Sequence, residues 1–376
     1  MFNTMTYYQL QQYWWAIVSL LGALLVFLLF VQGGQTFIHS LAKNKDEKNL
    51  LINSLGRKWH FTFTTLVTFG GALFAAFPLL YATSFGGAYW LWMIILFCFI
   101  IQAVSYEYRK KSSNFLGTKT YDIFLFINGS VGVFLLGVAV STFYDGGAFR
   151  ISEYNLSRWE NPWRGLEALC RLNNLLLGFS VFFLAIISGL LYFINNINHE
   201  ELYQRSLKKI KFNTLFFLVF FLSFLFIILF KEGYKYDPNS KIVSLVAGKY
   251  LNNLIVSPIL LIIFLLGIIA VLVGIFSTLF TKTKKGIWFT GTGTIGTVFS
   301  LIFITGSNYT CIYPSHVNIQ HSLTIENASS SYYTLMTMGY ASLLIPFVFT
   351  YIFIAWKLMD KKKLTTKELD AEEHTY

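Results

Sequence analysis

The amino-acid sequence predicts an all-α fold: a polytopic integral membrane protein with nine transmembrane helices, its N-terminus outside and its C-terminus inside. Of the 376 residues, 55% are hydrophobic and only 12% are charged, whereas soluble domains have about 45–50% apolar and about 25% charged residues. Apolar stretches of about 20 residues, long enough to cross a bilayer, recur along the whole chain. Residues 1–356 are therefore predicted to form a single transmembrane domain, and residues 357–376 a charged cytoplasmic tail.

The nine predicted spans are separated by short connections, with one longer loop near the middle. Aromatic residues such as Tyr13 and Trp356 mark the ends of spans, as expected at a membrane interface. Loop 145–171 balances four Arg against four acidic residues and is predicted to be structured, with a short helix from about Pro162. This loop would join two four-helix halves, 13–144 and 172–306. The spans are 13–31, 61–82, 88–106, 122–144, 172–194, 212–230, 254–280, 287–306 and 333–356.

The positive charges of the connections predict the orientation. The net charge is +11, and 21 of the 29 Lys and Arg residues lie in alternate connections and the tail. Cytoplasmic loops of membrane proteins carry such an excess, so these segments are assigned to the inside, and no nucleic-acid partner is needed to explain the charge. The inside segments are 32–60, 107–121, 195–211, 281–286 and the residues after Trp356.

A few titratable residues lie at the inner ends of spans, where they suggest proton entry. None of the eighteen acidic residues lies at the middle of a predicted span, but Glu107 ends the third and Asp122 opens the fourth. His60 and Lys111 are predicted on the same side, and such groups can take up protons from the cytoplasm. Structural interpretations stay open: Asp122 would favour a helix dipole, and Glu107 could pair with Arg109.

The sequence offers no metal or haem site of its own. Its three cysteines are far apart, without the spacing of a zinc or iron–sulfur site. No histidine lies within an apolar span with a partner for axial haem ligation. The pairs Gly33-Gly34 and Gly70-Gly71 are interpreted as close-packing or helix-end positions. The GTGTIG at 291–296 lacks the strand that a dinucleotide site requires.

Five stretches of the chain resemble subunit II of the bacterial cytochrome bd-type quinol oxidases. Two of them, near the two ends of the chain, are long and specific, and the resemblance covers most of the sequence except loops 145–171 and 231–253. The stretches are NSLGRKWHFTFTTLVTFGGALFAAFP at 53–78, YEYR at 106–109 with Lys111, Tyr121-Asp122, SLTIENASSS at 322–331, and the last span from Leu344 to Met359.

The resemblance implies a heterodimer in the bacterial cytoplasmic membrane that oxidises quinol and reduces oxygen to water. It places haem b and haem d (or b) in the partner, subunit I, and none in this chain. Subunit II would brace subunit I, could hold a structural quinone or lipid, and could help to supply protons. A small accessory subunit is compatible with the family.

The sequence departs from the family at three positions that matter for protons. Many members carry two Asp around the Gly that ends the first span, where this chain has Gln32 and Gln35; His60 replaces a common acid. A path through those carboxylates therefore cannot be transferred unchanged, whereas Glu107, Asp122 and Lys111 keep the family's residue types. The alternatives from other classes are a secondary transporter, which would need polar residues near the midplane, and a standalone assembly scaffold.

Overall fold

A computed structural model describes residues 2–111 and 113–365 of the chain. The helices are α1 Tyr7–Leu28, α2 Phe30–Gln35, α3 Ile38–Leu41, α4 Lys45–Gly56, α5 Trp59–Ala76, α6 Pro78–Tyr81, α7 Tyr89–Tyr108, α8 Thr118–Ile127, α9 Val133–Asp145, α10 Leu172–Asn196, α11 Glu200–Phe230, α12 Lys249–Val256, α13 Pro258–Thr281, α14 Gly286–Ile304, α15 Ile325–Ala328, α16 Tyr332–Ser342 and α17 Ile345–Met359. π-Helical turns at Ala82–Gly87 and Asn128–Gly132 follow α6 and α8.

Six short strands form three two-stranded antiparallel sheets. The strands are β1 Phe149–Ile151, β2 Ser157–Trp159, β3 Glu232–Tyr236, β4 Val243–Ala247, β5 Cys311–Tyr313 and β6 Leu323–Thr324. The predicted structured loop 145–171 contains the β1–β2 hairpin and a 3-10 helix at Leu166–Cys170, which begins four residues later than the sequence suggested.

Eight helical stretches in the described chain are long and apolar enough to cross a membrane. Eight of the nine predicted spans coincide with them, which confirms a mostly helical, polytopic protein. The remaining one, 61–82, falls on α5, which ends at Ala76, and on the separate short helix α6, which begins at Pro78. Proline has no amide hydrogen with which to continue a helix. Nine crossings stay a prediction. The eight stretches are Tyr7–Gln35, Tyr89–Tyr108, Thr118–Asp145, Leu172–Asn196, Glu200–Phe230, Pro258–Thr281, Gly286–Ile304 and Tyr332–Met359.

The basic connections meet one another at one end of the bundle. Lys58 Nζ lies 3.0 Å from Asp360 Oδ1, and Asn195 Nδ2 donates to the carbonyl of Lys284 over 2.8 Å. We call this the basic end. The three sheets lie at the other end, where Lys231 pairs with Asp145. The charge pattern therefore sorted the connections correctly, and which end faces the cytoplasm stays a prediction.

Two core helices approach each other closely at the first glycine pair. A Cβ placed on Gly33 would lie 2.0 Å from the carbonyl oxygen of Ala185 in α10, and one on Gly189 would lie 2.4 Å from the amide nitrogen of Gly34. The backbones of α2 and α10 thus touch, as small residues allow in membranes. The packing interpretation is confirmed for this pair, whereas Gly71 has no atom within 4 Å of its ideal Cβ.

The chain after α17 is held against the basic end as far as the structure describes it. Leu364 is fully buried, and its amide donates to the carbonyl of Asn196 over 3.0 Å. The predicted tail therefore begins with a packed segment, and its residues 366–376 lie outside the described part. The division into two four-helix halves also stays a prediction.

Candidate functional site

Asp122 is the buried acid at the basic end. It lies in α8, and its side chain is 1% exposed. Arg109, which follows α7, donates from Nε to Asp122 Oδ1 over 2.8 Å, and Lys48 Nζ from α4 contacts the other carboxylate oxygen. These three residues, the ion triad, join three separate helical segments. Because α8 begins at Thr118, Asp122 lies beyond the first turn, so a helix dipole alone does not explain its position.

The other three predicted residues lie on the surface of the basic end, outside the ion triad. Glu107 is exposed in the last turn of α7, and the described chain contains no ion pair for it. His60 is exposed and stacks on Trp59, with 3.8 Å between ring centroids. Lys111 lies over the ring of Tyr108 at 4.3 Å. The alternative pairing of Glu107 with Arg109 is wrong, since Arg109 binds Asp122.

His39 is a titratable group that sequence analysis left aside. It lies in α3, and its electrostatic partners are all three members of the ion triad. Burial lowers the pKa of His39 and the charges of Lys48 and Arg109 lower it further, while Asp122 opposes them. A lowered pKa favours the neutral form of the imidazole.

A buried polar cluster lies further along α2 and α7. Gln35 Nε2 donates to the hydroxyl of Tyr106 over 3.1 Å. One helical turn deeper, Gln32 Nε2 donates to Gln102 Oε1, also over 3.1 Å. The four side chains are 0–3% exposed, and residues four apart on a helix lie about 6 Å apart along its axis. They form two successive polar layers.

Asn128 completes this amide cluster, which we define as Gln32, Gln35, Gln102, Tyr106 and Asn128. It opens the π-turn whose Gly129 packs on the backbone of Gln32, with a Cβ there 2.3 Å from that carbonyl oxygen. Buried amides normally find hydrogen-bond partners, often ordered water. Five side-chain atoms of the cluster have no partner within the described residues: Gln32 Oε1, Gln35 Oε1, Gln102 Nε2, and Asn128 Nδ2 and Oδ1.

Sequence analysis missed Lys48, His39, Gln102 and Asn128 as members of the site. Lys48 lies in an amphipathic helix outside any span, and nothing in its spacing points to Asp122. The two amides did carry a signal, because uncharged polar residues inside otherwise apolar spans usually face the protein interior. A search limited to charged residues passes over them.

A second ion cluster fixes α4 beside the site. Glu47 is 2% exposed and binds the guanidinium of Arg205 from α11, while the amide of Lys43 donates to its other oxygen over 2.7 Å. The neighbouring residue of α4 is Lys48, so this contact places the lysine that binds Asp122. Among the described residues, no group of three or more His, Cys, Asp or Glu lies close enough to hold a metal ion.

Comparison with known proteins shows which family the chain resembles. The family model for cytochrome bd terminal oxidase subunit II matches residues 10–359. Cytochrome bd-I ubiquinol oxidase subunit 2 of Escherichia coli strain K12 is 27% identical over 386 aligned positions, covering 96% of this chain and 97% of that protein. Cytochrome bd ubiquinol oxidase subunit 2 of Bacillus subtilis is 28% identical over 344 positions, covering 90% and 92%.

A solved structure shows the same fold. The bd oxidase from Geobacillus thermodenitrificans contains a chain that aligns with a TM-score of 0.59 and 10% identity, covering 94% of this chain and 99% of that one. Because the family model spans nearly all of the sequence, the chain belongs to the cytochrome bd terminal oxidase subunit II family.

Proposed function

We propose that this chain is subunit II of a quinol:oxygen oxidoreductase complex in the bacterial cytoplasmic membrane. In that complex it braces a haem-bearing subunit I and holds no redox centre itself. The observation that carries the proposal is the family match over residues 10–359, supported by relatives named as subunit 2 of ubiquinol oxidases. A secondary transporter or a standalone scaffold would leave this match unexplained.

The first prediction concerns haem. The chain expressed alone should show no stoichiometric Soret absorption, because none of its six histidines lies within an apolar predicted span with a partner for axial haem ligation. Co-expressed with subunit I, it should copurify with the haem-bearing partner, and quinol oxidase activity should appear only in that complex. Visible spectra and oxygen consumption of both preparations test this. A Soret band in the isolated chain would refute the haem assignment, and failure to copurify would refute the function.

Within this function, we assign proton entry to the basic end. Glu107, His60 and Lys111 lie on the surface there, and Asp122 and His39 lie at the ion triad. Glu107 directly follows Tyr106, the outermost member of the amide cluster, on α7. An exposed carboxylate thus stands next to a buried polar row that leads inward.

The amide cluster would carry protons through bound water, since amides do not titrate at ordinary pH. Its five unpartnered atoms can each donate to or accept from a water molecule. Such waters would connect the two glutamine layers to Asn128. Where many relatives use two carboxylates, this chain would use Gln32 and Gln35 to hold the water, and protonation would take place at Glu107, Asp122 or His39.

A second prediction tests this assignment with Glu107→Gln, which keeps the size and hydrogen bonding of the side chain but removes its titrating proton. The complex should assemble with full haem content and turn over at least several-fold more slowly. The matched control is Glu153→Gln, since Glu153 is exposed between β1 and β2 at the opposite end. Oxygen consumption and proton uptake are measured in vesicles. Wild-type values for both in assembled Glu107→Gln would end the role of Glu107.

A further inference from the structure

A cleft of about 530 Å³ opens at the basic end, between the end of α10, the start of α14 and the end of α17. Lys285, Lys357 and Lys363 line it together with the aromatic side chains of Trp288, Phe353 and Trp356. We propose that this cleft binds one anionic phospholipid, its headgroup phosphate among the three lysines and an acyl chain along α17.

The cleft carries a net positive charge because its one acid is already neutralised. Asp360 lines the cleft, and its carboxylate lies 3.0 Å from Nζ of Lys58, which is fully buried. Asn196 Nδ2 also donates to it over 3.1 Å. The three lining lysines are exposed, and none makes an ion pair within the described residues. Lysine ammonium groups bind phosphate as point charges, and basic pockets between transmembrane helices bind anionic headgroups.

The position of Lys363 at this cleft is fixed by the chain on either side of it. Leu364 exchanges backbone hydrogen bonds with the end of α10, its amide donating to Asn196 and its carbonyl accepting from the amide of Asn198, each over 3.0 Å. Asp360 is held by Lys58 on the other side. The three lysines therefore line one cleft whose position is fixed by the fold, and they come from two separate segments of the chain.

The aromatic side of the cleft suits a lipid better than a soluble anion. Trp288 is 42% exposed and Phe353 is 65% exposed, although both border a lysine-lined space. The buried ring of Trp356 lies 5.8 Å from that of Trp288 and stacks on Phe61 at 5.7 Å. Exposed tryptophan beside lysine is typical of the headgroup level of a bilayer.

A separate groove lies further along α17. Ile345, Pro346 and Phe349 of α17 line it opposite α1, and its volume is about 190 Å³. Phe349, Phe353 and Trp356 are spaced by four and three residues, so they share one face of α17. The rise from Phe349 to Lys357 is about 12 Å. An acyl chain can follow this face while its phosphate stays at the lysines.

The test is native mass spectrometry of the purified two-subunit complex, titrated with phosphatidylglycerol and with phosphatidylcholine of the same acyl chains. The wild-type complex should bind one phosphatidylglycerol with clear preference. The triple variant Lys285→Gln/Lys357→Gln/Lys363→Gln should bind it at least tenfold more weakly. The control Lys119→Gln/Lys208→Gln/Lys211→Gln removes three exposed lysines outside the cleft and should leave the affinity unchanged. Equal affinities in the two triple variants would overturn the proposal.

Further experiments distinguish a bound lipid from other occupants of the cleft. Phe353→Asn should weaken phosphatidylglycerol binding at least several-fold, and millimolar inorganic phosphate should not displace the lipid. If inorganic phosphate displaced the lipid fully and Phe353→Asn left the lipid affinity unchanged, the cleft would be a phosphate site and the lipid proposal would be wrong. Residues 366–376 carry four carboxylates; a chain ending at Thr365 should bind the lipid as the full chain does. If the truncated chain bound the lipid tenfold more tightly than the full chain, the natural occupant of the cleft would be the acidic segment and not a lipid.

Discussion

Asp122→Asn is expected to cost the protein about 3–5 kcal/mol of stability, because breaking a buried ion pair from one side leaves the partner charge without compensation. Arg109 is 6% exposed and has little access to water. Lys48 is 22% exposed, so its share of the loss is smaller. The ion triad joins α4, α8 and the end of α7, and its loss should loosen all three. The measurement is thermal unfolding of the complex and the yield of assembled, haem-loaded protein.

The contrast with Glu107 makes this prediction specific. Glu107→Gln lies at the same end of the bundle, but the side chain is exposed and lies outside the ion triad; its effect on stability should be about 0–1 kcal/mol. A stability loss below about 1 kcal/mol in Asp122→Asn would show that the triad does not hold the helices together.

A variant that removes all three charges of the triad distinguishes a structural role of these residues from a role in proton entry. Replacing a buried ion cluster by apolar residues of similar size is often neutral for stability, so Lys48→Met/Arg109→Met/Asp122→Leu should recover most of the assembly lost in Asp122→Asn. Proton uptake by that variant then reports whether the three charged groups of the triad take part in proton entry. Normal uptake would exclude Asp122 from the path and leave Glu107 and His39 as the entry groups.

The sequence was sufficient for eight of the nine predicted spans and for grouping the basic connections at one end. Apolar runs of about 20 residues and the Lys/Arg excess in alternate connections are local signals that a bilayer imposes on every such chain. The exception was the predicted span 61–82, where several threonines lower the mean hydropathy and a new helix begins at Pro78. Asp122 was also found from sequence, since an acid at the edge of a span is expensive and easily noticed.

The site itself could not be assembled from the sequence because its partners come from distant segments. Lys48 reaches Asp122 from α4, a helix whose Glu47 is bound to Arg205, 158 residues further along the chain. Glu107 and Asp122 both lie near the basic end, yet the side chain of Glu107 in α7 is exposed and that of Asp122 in α8 is buried. Which face of each helix is buried depends on neighbours that a single-sequence pattern does not identify.

Gly33→Ala is expected to have the other large effect. The added methyl would lie 2.0 Å from the carbonyl oxygen of Ala185 and 2.1 Å from its carbonyl carbon. These are backbone atoms that cannot rotate away, so α2 and α10 would have to separate. Overpacking costs about 1–3 kcal/mol where side chains can adjust, and we expect at least the upper end of that range. The gap would also disturb Gln32 and Gln35 on the same turns of α2.

The matched control is Gly71→Ala, which adds the same methyl where no atom lies within 4 Å. In a helix interior, alanine is favoured over glycine by roughly 0.5–1 kcal/mol, so this variant should be neutral or slightly more stable. Unfolding of the two variants of the isolated chain in detergent should therefore change in opposite directions. Equal stabilities would mean that α2 and α10 do not pack backbone to backbone. A loss in Gly71→Ala seen only in the two-subunit complex would instead place the exposed face of α5 against subunit I, because the methyl has room within this chain.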